Sequence, residues 1–213
     1  FLLCLALLQA AAARAQWMPR QMLHPLNWET VKALPADLNN DGKKDLVLLS
    51  ESPNRLSWQM TLPGPGTFGL TRILPTTAAV NDAIIGDYDL DGDADVIASV
   101  DYPSRLVWYE NTGLEGQERF GQETTILEGE FMEGLHFTDL NTDGWPDLVF
   151  TGFLNETPPD FAFHIMMGTG PGAYSPVASA PFRVPIGQAE TPPYLFYSPD
   201  PLQPVVHIYG RFR

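Results

Sequence analysis

One nine-residue pattern, with an oxygen-bearing side chain at every second position, occurs three times in this chain. Asp37-Leu38-Asn39-Asn40-Asp41-Gly42-Lys43-Lys44-Asp45, Asp87-Tyr88-Asp89-Leu90-Asp91-Gly92-Asp93-Ala94-Asp95 and Asp139-Leu140-Asn141-Thr142-Asp143-Gly144-Trp145-Pro146-Asp147 all read D-x-[DN]-x-D-G-x-x-D, and their starts lie 50 and 52 residues apart. Self-similarity at a fixed period marks a chain built as an array of like units, each burying its apolar face on its neighbours. The unit therefore has to be read before any single residue.

The likeness continues outside the loops. Short apolar stretches precede them (Val31 to Ala36, Ala83 to Gly86, Gly134 to Thr138) and follow them (Leu46 to Ser50, Val96 to Val100, Leu148 to Gly152). Their length, their β-branched and aromatic content and the turn residues that bound them mark strands. A third stretch comes next in each unit, Leu56 to Leu62, Leu106 to Glu110 and Phe161 to Met167. After a Gly/Pro-rich turn an aromatic residue (Phe68, Phe120, Tyr174) opens a fourth, ending near Ile73-Leu74, Ile126-Leu127 and Phe182 to Val184.

Four strands in about 50 residues make one propeller blade. The fold class expected is all-β: a β-propeller of four-stranded antiparallel blades over residues 28–75, 78–128 and 131–185, with part of a fourth over 190–213. Propellers have roughly 4 to 8 blades, so the set reads as incomplete and the chain as a fragment. Trp17 to Pro25 reads as a lone outer strand of a preceding blade. After the first residues no helical period of apolar positions is sustained, and 20 prolines would interrupt long helices.

Alternating oxygen ligands in a tight turn suit a hard cation, and calcium takes about six to eight of them. The first, third, fifth and ninth side chains would supply them: Asp37, Asn39, Asp41 and Asp45; Asp87, Asp89, Asp91 and Asp95; Asp139, Asn141, Asp143 and Asp147. The seventh residue, Lys43, Asp93 or Trp145, would offer its backbone carbonyl, leaving its side chain free to vary. Glycine at the sixth position allows the sharp turn. An EF-hand is excluded, because Leu48, Ala98 and Phe150 stand where its bidentate Glu belongs and the flanks read as strands.

A single loop of this kind is also an ordinary hairpin turn, since Asp and Asn form Asx-turns. Three with the same ligand positions weigh against that reading, because a turn does not need four acceptors and their charges would repel. The loops carry three, five and three carboxylates, so the second is expected to bind most tightly. Calcium at about three sites is the cofactor expected. Magnesium is disfavoured by its rigid six-ligand shell, and zinc by the lack of cysteine and of clustered histidines.

The acidic excess, 26 Asp and Glu against 12 Lys and Arg, argues against nucleic acid or an anionic membrane as partner. Phe1 to Ala15 reads as a secretory signal peptide, truncated at its start and cleaved before Gln16. It is shorter than the roughly 20 apolar residues that span a bilayer, so no membrane insertion is expected. The one cysteine, Cys4, falls inside this segment. A secreted chain without disulfides needs another staple, and bound metal is the natural one.

With these residues in hand, the chain resembles the FG-GAP/VCBS repeat family. The loop motif between strands, the aromatic strand Leu106-Val107-Trp108-Tyr109-Glu110-Asn111-Thr112-Gly113 and the turns at Phe68-Gly69 and Phe120-Gly121 carry the likeness, from roughly Trp17 to Tyr209. The resemblance implies an integrin-α-like propeller, usually seven-bladed, with calcium in hairpin loops bracing the blades and ligands commonly meeting the opposite face. In Pro193 to Tyr209 only Asp200 falls on a ligand position, so the fourth loop should not hold the ion.

For function, the leading expectation is a secreted module, extracellular, cell-surface or periplasmic in a bacterium, that binds an unknown protein or glycan ligand. The alternatives are part of a polysaccharide-degrading enzyme and a purely structural repeat. No G-x-S-x-G, H-E-x-x-H or phosphate loop is found, so no enzyme is expected of this segment. His24, His136, His164 and His207 read as structural strand residues. Trp58 and Trp108, each thirteen residues after the ninth-position Asp, read as packing between blades. Asn155-Glu156-Thr157 matches a glycosylation sequon.

Overall fold

The computed structural model describes residues 28–129, 131–152, 161–175, 178–184, 194–197 and 206–209. The signal segment, the strand expected over Trp17 to Pro25 and the sequon lie outside these residues.

The chain forms β1 (Glu29–Ala36), β2 (Asp45–Ser52), β3 (Asn54–Gln59) and β4 (Arg72–Ile73), which pair in that order as one antiparallel sheet. A second sheet repeats it with β5 (Ala79–Gly86), β6 (Asp95–Asp101), β7 (Arg105–Tyr109) and β8 (Thr124–Glu128). The third is built from β9 (Met132–Thr138), β10 (Asp147–Gly152) and β11 (Phe161–Met166), then a small hairpin of β12 (Gly168–Gly170) and β13 (Ala173–Tyr174), and last β14 (Ala178–Val184) on the outer edge of the sheet. A further hairpin joins β15 (Tyr194–Tyr197) to β16 (Val206–Tyr209). The one helical element among the described residues is a 3-10 turn, Gly116–Arg119. No helix among them is long and apolar enough to cross a membrane.

Each loop joins the inner strand of a sheet to the next, and its frame is the same each time. The last pairs before it are Ala36 with Asp45, Gly86 with Asp95 and Thr138 with Asp147, and in the fourth hairpin Tyr197 with Val206. All four leave the same gap. The fourth hairpin thus keeps the register of the others while its ninth position holds a valine.

Two cores lie between the sheets. Val47, Leu49, Leu56 and Trp58 of the first sheet pack on Val80, Ala83, Val96, Ala98, Val107 and Tyr109 of the second. Ile84, Ile97, Leu106 and the partly buried Trp108, from the other face of the second sheet, pack on Leu135, Leu148, Phe150 and Met166 of the third. The central strands β6 and β7 therefore send alternate residues into opposite seams, and Val96 to Ala98 and Leu106 to Tyr109 run apolar because both faces are covered. Sheets stacked face to face with the loop-bearing strands β1, β5 and β9 adjacent are propeller blades.

Trp58 lies in the first seam, edge-on to Phe120 at 5.8 Å, and Trp108 meets Tyr88 in the second at 4.9 Å, as packing between blades requires. The third blade puts Ile165 at that register, opposite Val149. His164 is buried, stacked on Phe150, with Nε2 3.1 Å from the Gly152 carbonyl oxygen.

One expectation needs correction. Phe68 and Phe120 do not open the fourth strands: each closes an isolated bridge, to Thr61 and Asn111, and the outer strand starts several residues later. The bridged turn lets the aromatic ring swing off the sheet, and Phe120 uses that freedom to fill the seam against Trp58.

Charge also crosses the seams. Lys32, Asp82 and Glu133 occupy equivalent bulged positions, opposite Leu49, Ser99 and Thr151. Lys32 Nζ lies 2.7 Å from Asp82 Oδ1, and Asp82 Oδ2 accepts the Leu135 N–H at 2.9 Å. Burial, and then the Asp82 charge, hold the Glu133 carboxyl above its ordinary range.

Candidate cation-binding loops

The three loops share one backbone. Their fourth residues, Asn40, Leu90 and Thr142, have φ of 57°, 60° and 60°, and the sixth-position glycines have 82°, 98° and 93°. Leucine and threonine are strained in that region, so something must hold them there.

The acidic side chains do so. The first-position carboxylates accept the glycine N–H: Gly42 to Asp37 at 2.8 Å, Gly92 to Asp87 at 3.0 Å and Gly144 to Asp139 at 2.9 Å. Third-position oxygens accept the fifth N–H, at 3.3 Å in Asn39 and Asp89 and 2.9 Å in Asn141. Fifth-position carboxylates accept the N–H of Lys43, Asp93 and Trp145 at 2.9, 2.8 and 2.8 Å. Every loop is wound around its own carboxylates.

The ninth residues differ from the rest because they are buried. Asp45, Asp95 and Asp147 are 0%, 1% and 0% exposed. One oxygen of each accepts the N–H of the loop's second residue: Leu38 at 3.1 Å, Tyr88 at 2.9 Å and Leu140 at 2.8 Å. The other accepts an N–H from just beyond the third strand: Thr61 at 2.7 Å, Asn111 at 2.7 Å and Gly168 at 2.8 Å. Each carboxylate thereby pins the loop to two strands of its blade. The alternation of acids could not reveal this, because the partners are backbone N–H groups with no side-chain signature.

In the second loop, oxygens of Asp87, Asp89 and Asp95 lie within 4.8 Å of one another. Asp87 Oδ1 is buried and has no hydrogen-bond partner. Burial raises the Asp95 carboxyl to about 6, and burial followed by the charges of Asp91 and Asp87 raises that of Asp89. Desolvated like charges with an orphaned oxygen among them fit a divalent cation, which supplies the missing partner and removes the repulsion. Asp91 lies outside the trio, and Asp93 turns away to accept Asn40 Nδ2 of the first loop at 2.6 Å.

The first and third loops draw no such trio together, because Asn39 and Asn141 stand at the third position. In the first, Lys43 Nζ lies 2.9 Å from Asp41 Oδ2 and holds that carboxyl below its ordinary range. In the third, Asn141 Nδ2 donates to Asp143 Oδ2 at 2.8 Å. Both substitutes soften the repulsion that the second loop retains.

The family profile for FG-GAP-like repeats matches residues 37–98 and 87–150, which together span more than half of the chain. The chain belongs to the FG-GAP-like repeat family. No curated protein and no solved structure shows a significant match to it. Each matched FG-GAP-like repeat begins at the first residue of one acidic loop and ends in the second strand of the next blade. The repeat therefore includes one whole seam: the loop, the outer part of its own blade, and the inner strands onto which that blade packs.

Proposed function

We propose that this chain is a secreted, calcium-braced propeller module that binds a protein or glycan ligand, in the manner of an adhesion domain, and does no catalysis itself. The observation that supports it most is the second loop, where a buried, unpartnered Asp87 oxygen sits among two further carboxylates. Asp87, Asp89, Asp91, Asp95 and the Asp93 carbonyl would hold the ion there, with Asp37, Asn39, Asp41, Asp45 and Lys43, and Asp139, Asn141, Asp143, Asp147 and Trp145, as weaker counterparts. The ion supplies charge neutralisation and cross-linking of the loop.

The strand ends opposite the loops are where a ligand would meet the module. There Tyr102 at the β6–β7 turn is 92% exposed. A shallow cavity of about 500 Å³ lies between the start of β3 and the β4–β5 connection, lined by Asn54, Arg55, Leu74, Thr76 and Thr77 among others. Export is supported by the apolar leader.

Calcium titration of the chelator-stripped chain tests the bracing role. Calcium at about 1 mM should raise the melting temperature by roughly 5 °C or more, consistent with a ligand that binds only the folded state, and Asp91→Ala should remove most of that gain. An unchanged melt would overturn the reading. Glycan-array screening should find binding without release of reducing or unsaturated sugars; turnover would favour the enzyme instead.

A further inference from the structure

The loops are joined to their neighbouring blades by hydrogen bonds that cross the seams, and those at the first seam are buried. In the first loop the Leu38 N–H is held by Asp45, and the Leu38 carbonyl accepts Asn111 Nδ2 at 2.9 Å and Arg119 Nη1 at 2.7 Å, both from the second blade. The same Asn111 is fixed in the second loop: its N–H is held by Asp95 at 2.7 Å, and its Nδ2 also reaches the Ala94 carbonyl at 3.1 Å. Asn111 is fully buried and Arg119 is 5% exposed.

The pattern recurs at the second seam. Asp95 holds the Tyr88 N–H, and the Tyr88 carbonyl accepts the Gly172 N–H at 3.1 Å from the third blade. Gly172 lies in the turn of the hairpin whose first residue, Gly168, donates to Asp147. In both seams the second loop residue thus has its N–H on its own blade, its side chain in the core between blades, and its carbonyl on the next blade.

We propose that the cation loops are coupled in series across the seams, with Asn111 the joint between the first and second, so that filling one loop raises the affinity of its neighbour. The proposal rests on the calcium reading above. The physical reason is ordering: an ion that fixes Asp95 and the second loop also fixes Asn111, which then presents its donor to Leu38 already in place, so the first loop has less freedom left to lose. Asn40 to Asp93 adds an exposed link between the same two loops. Asn111 and Arg119 are positioning residues, since neither is among the proposed ligands.

The sixth-position glycines Gly42, Gly92 and Gly144 report each loop separately, because each N–H bonds to a first-position carboxylate. In the glycine-labelled full chain, calcium is titrated while their amide signals are followed by nuclear magnetic resonance. Asp91→Ala, an exposed change confined to the second loop, should shift the Gly42 midpoint to higher calcium by about fivefold, the low end of usual coupling. In Asn111→Ala the Gly42 midpoint should no longer respond to Asp91→Ala, and in chelator the Leu38 amide should exchange faster. Arg119→Met, which removes the second donor to Leu38, should at least halve the response, and it carries the test of route if Asn111→Ala does not fold.

A Gly42 midpoint that ignores Asp91→Ala would overturn the coupling while leaving calcium binding intact. A response that persists in full in both seam variants would overturn the route through Asn111 and Arg119. Glycine signals that none of them move with millimolar calcium would overturn the cation reading itself, and the coupling with it.

Discussion

At the scale of single residues, the ninth-position aspartates are part of the fold as well as part of the loop chemistry. Asp45→Ala would leave the N–H groups of Leu38 and Thr61 without their acceptor in a buried setting. The expected loss is about 2–4 kcal/mol in calcium-free buffer. Asp41→Ala, in an exposed part of the same loop, should cost far less there; paired urea melts in chelator compare them. Asp95 adds a pH dependence. Burial raises its carboxyl from an ordinary 3.8 to about 6, so between those values the folded state holds a proton that the unfolded chain has released. The ion-free protein is therefore favoured below pH 4 by this group and loses that contribution as pH rises to 6. Calcium competes with the same proton, so affinity at the second loop should drop as pH falls below 6, which titration at pH 5 and 7.5 would measure. The oxygen-bearing positions were legible from alternation alone; the clamp was not, because amide N–H groups carry no side-chain signal.

At the scale of elements, the strands around each loop could be read from apolar patterning, since a strand buried on both faces has a continuous apolar run. Trp58 and Trp108 could be placed in seams because the register that repeats them fixes which face they leave. The outer strands were harder to read. β4 is two residues long, and Phe68 and Phe120 were drawn out of the sheets by the bridged turns that precede them. Gly86 shows how tightly neighbouring inner strands approach: a Cβ added there would collide with the edge of the Phe137 ring on the next blade. Gly86→Ala should therefore destabilise the chain by roughly 1–3 kcal/mol, through overpacking. A calcium affinity for the loop at Asp87 unchanged to within twofold would place the damage in the seam, and denaturant melts with parallel calorimetry would separate the two.

At the scale of the whole molecule, a net charge of −14 makes the acidic loops a source of self-repulsion. In chelator, raising salt from about 10 to 200 mM should raise the melting temperature, since the Debye length falls from about 30 Å to below 10 Å. With calcium present the same salt should weaken binding, so the two melting curves should converge; differential scanning calorimetry in both buffers would show it. The line of Lys32, Asp82 and Glu133 shows charge used differently, since Asp82 ties three successive inner strands by accepting from one side and from the other. Each bond links residues about fifty positions apart, and only stacking of the blades brings them within reach.

The amino-acid sequence alone determined the repeat, the strand-loop-strand frame and the oxygen-bearing positions of each loop, because all of these follow from local spacing and chain stereochemistry. It also determined that the fourth hairpin, with Val206 in the ninth position, departs from the others. Tertiary structure alone decided how closely the carboxylates of the second loop approach one another, which oxygen is left unpartnered, and which residues of one blade complete the loop of another. Those are properties of distance and of water exclusion. They exist only once sheets from separate repeats close on each other, and no residue announces them in the order of the chain.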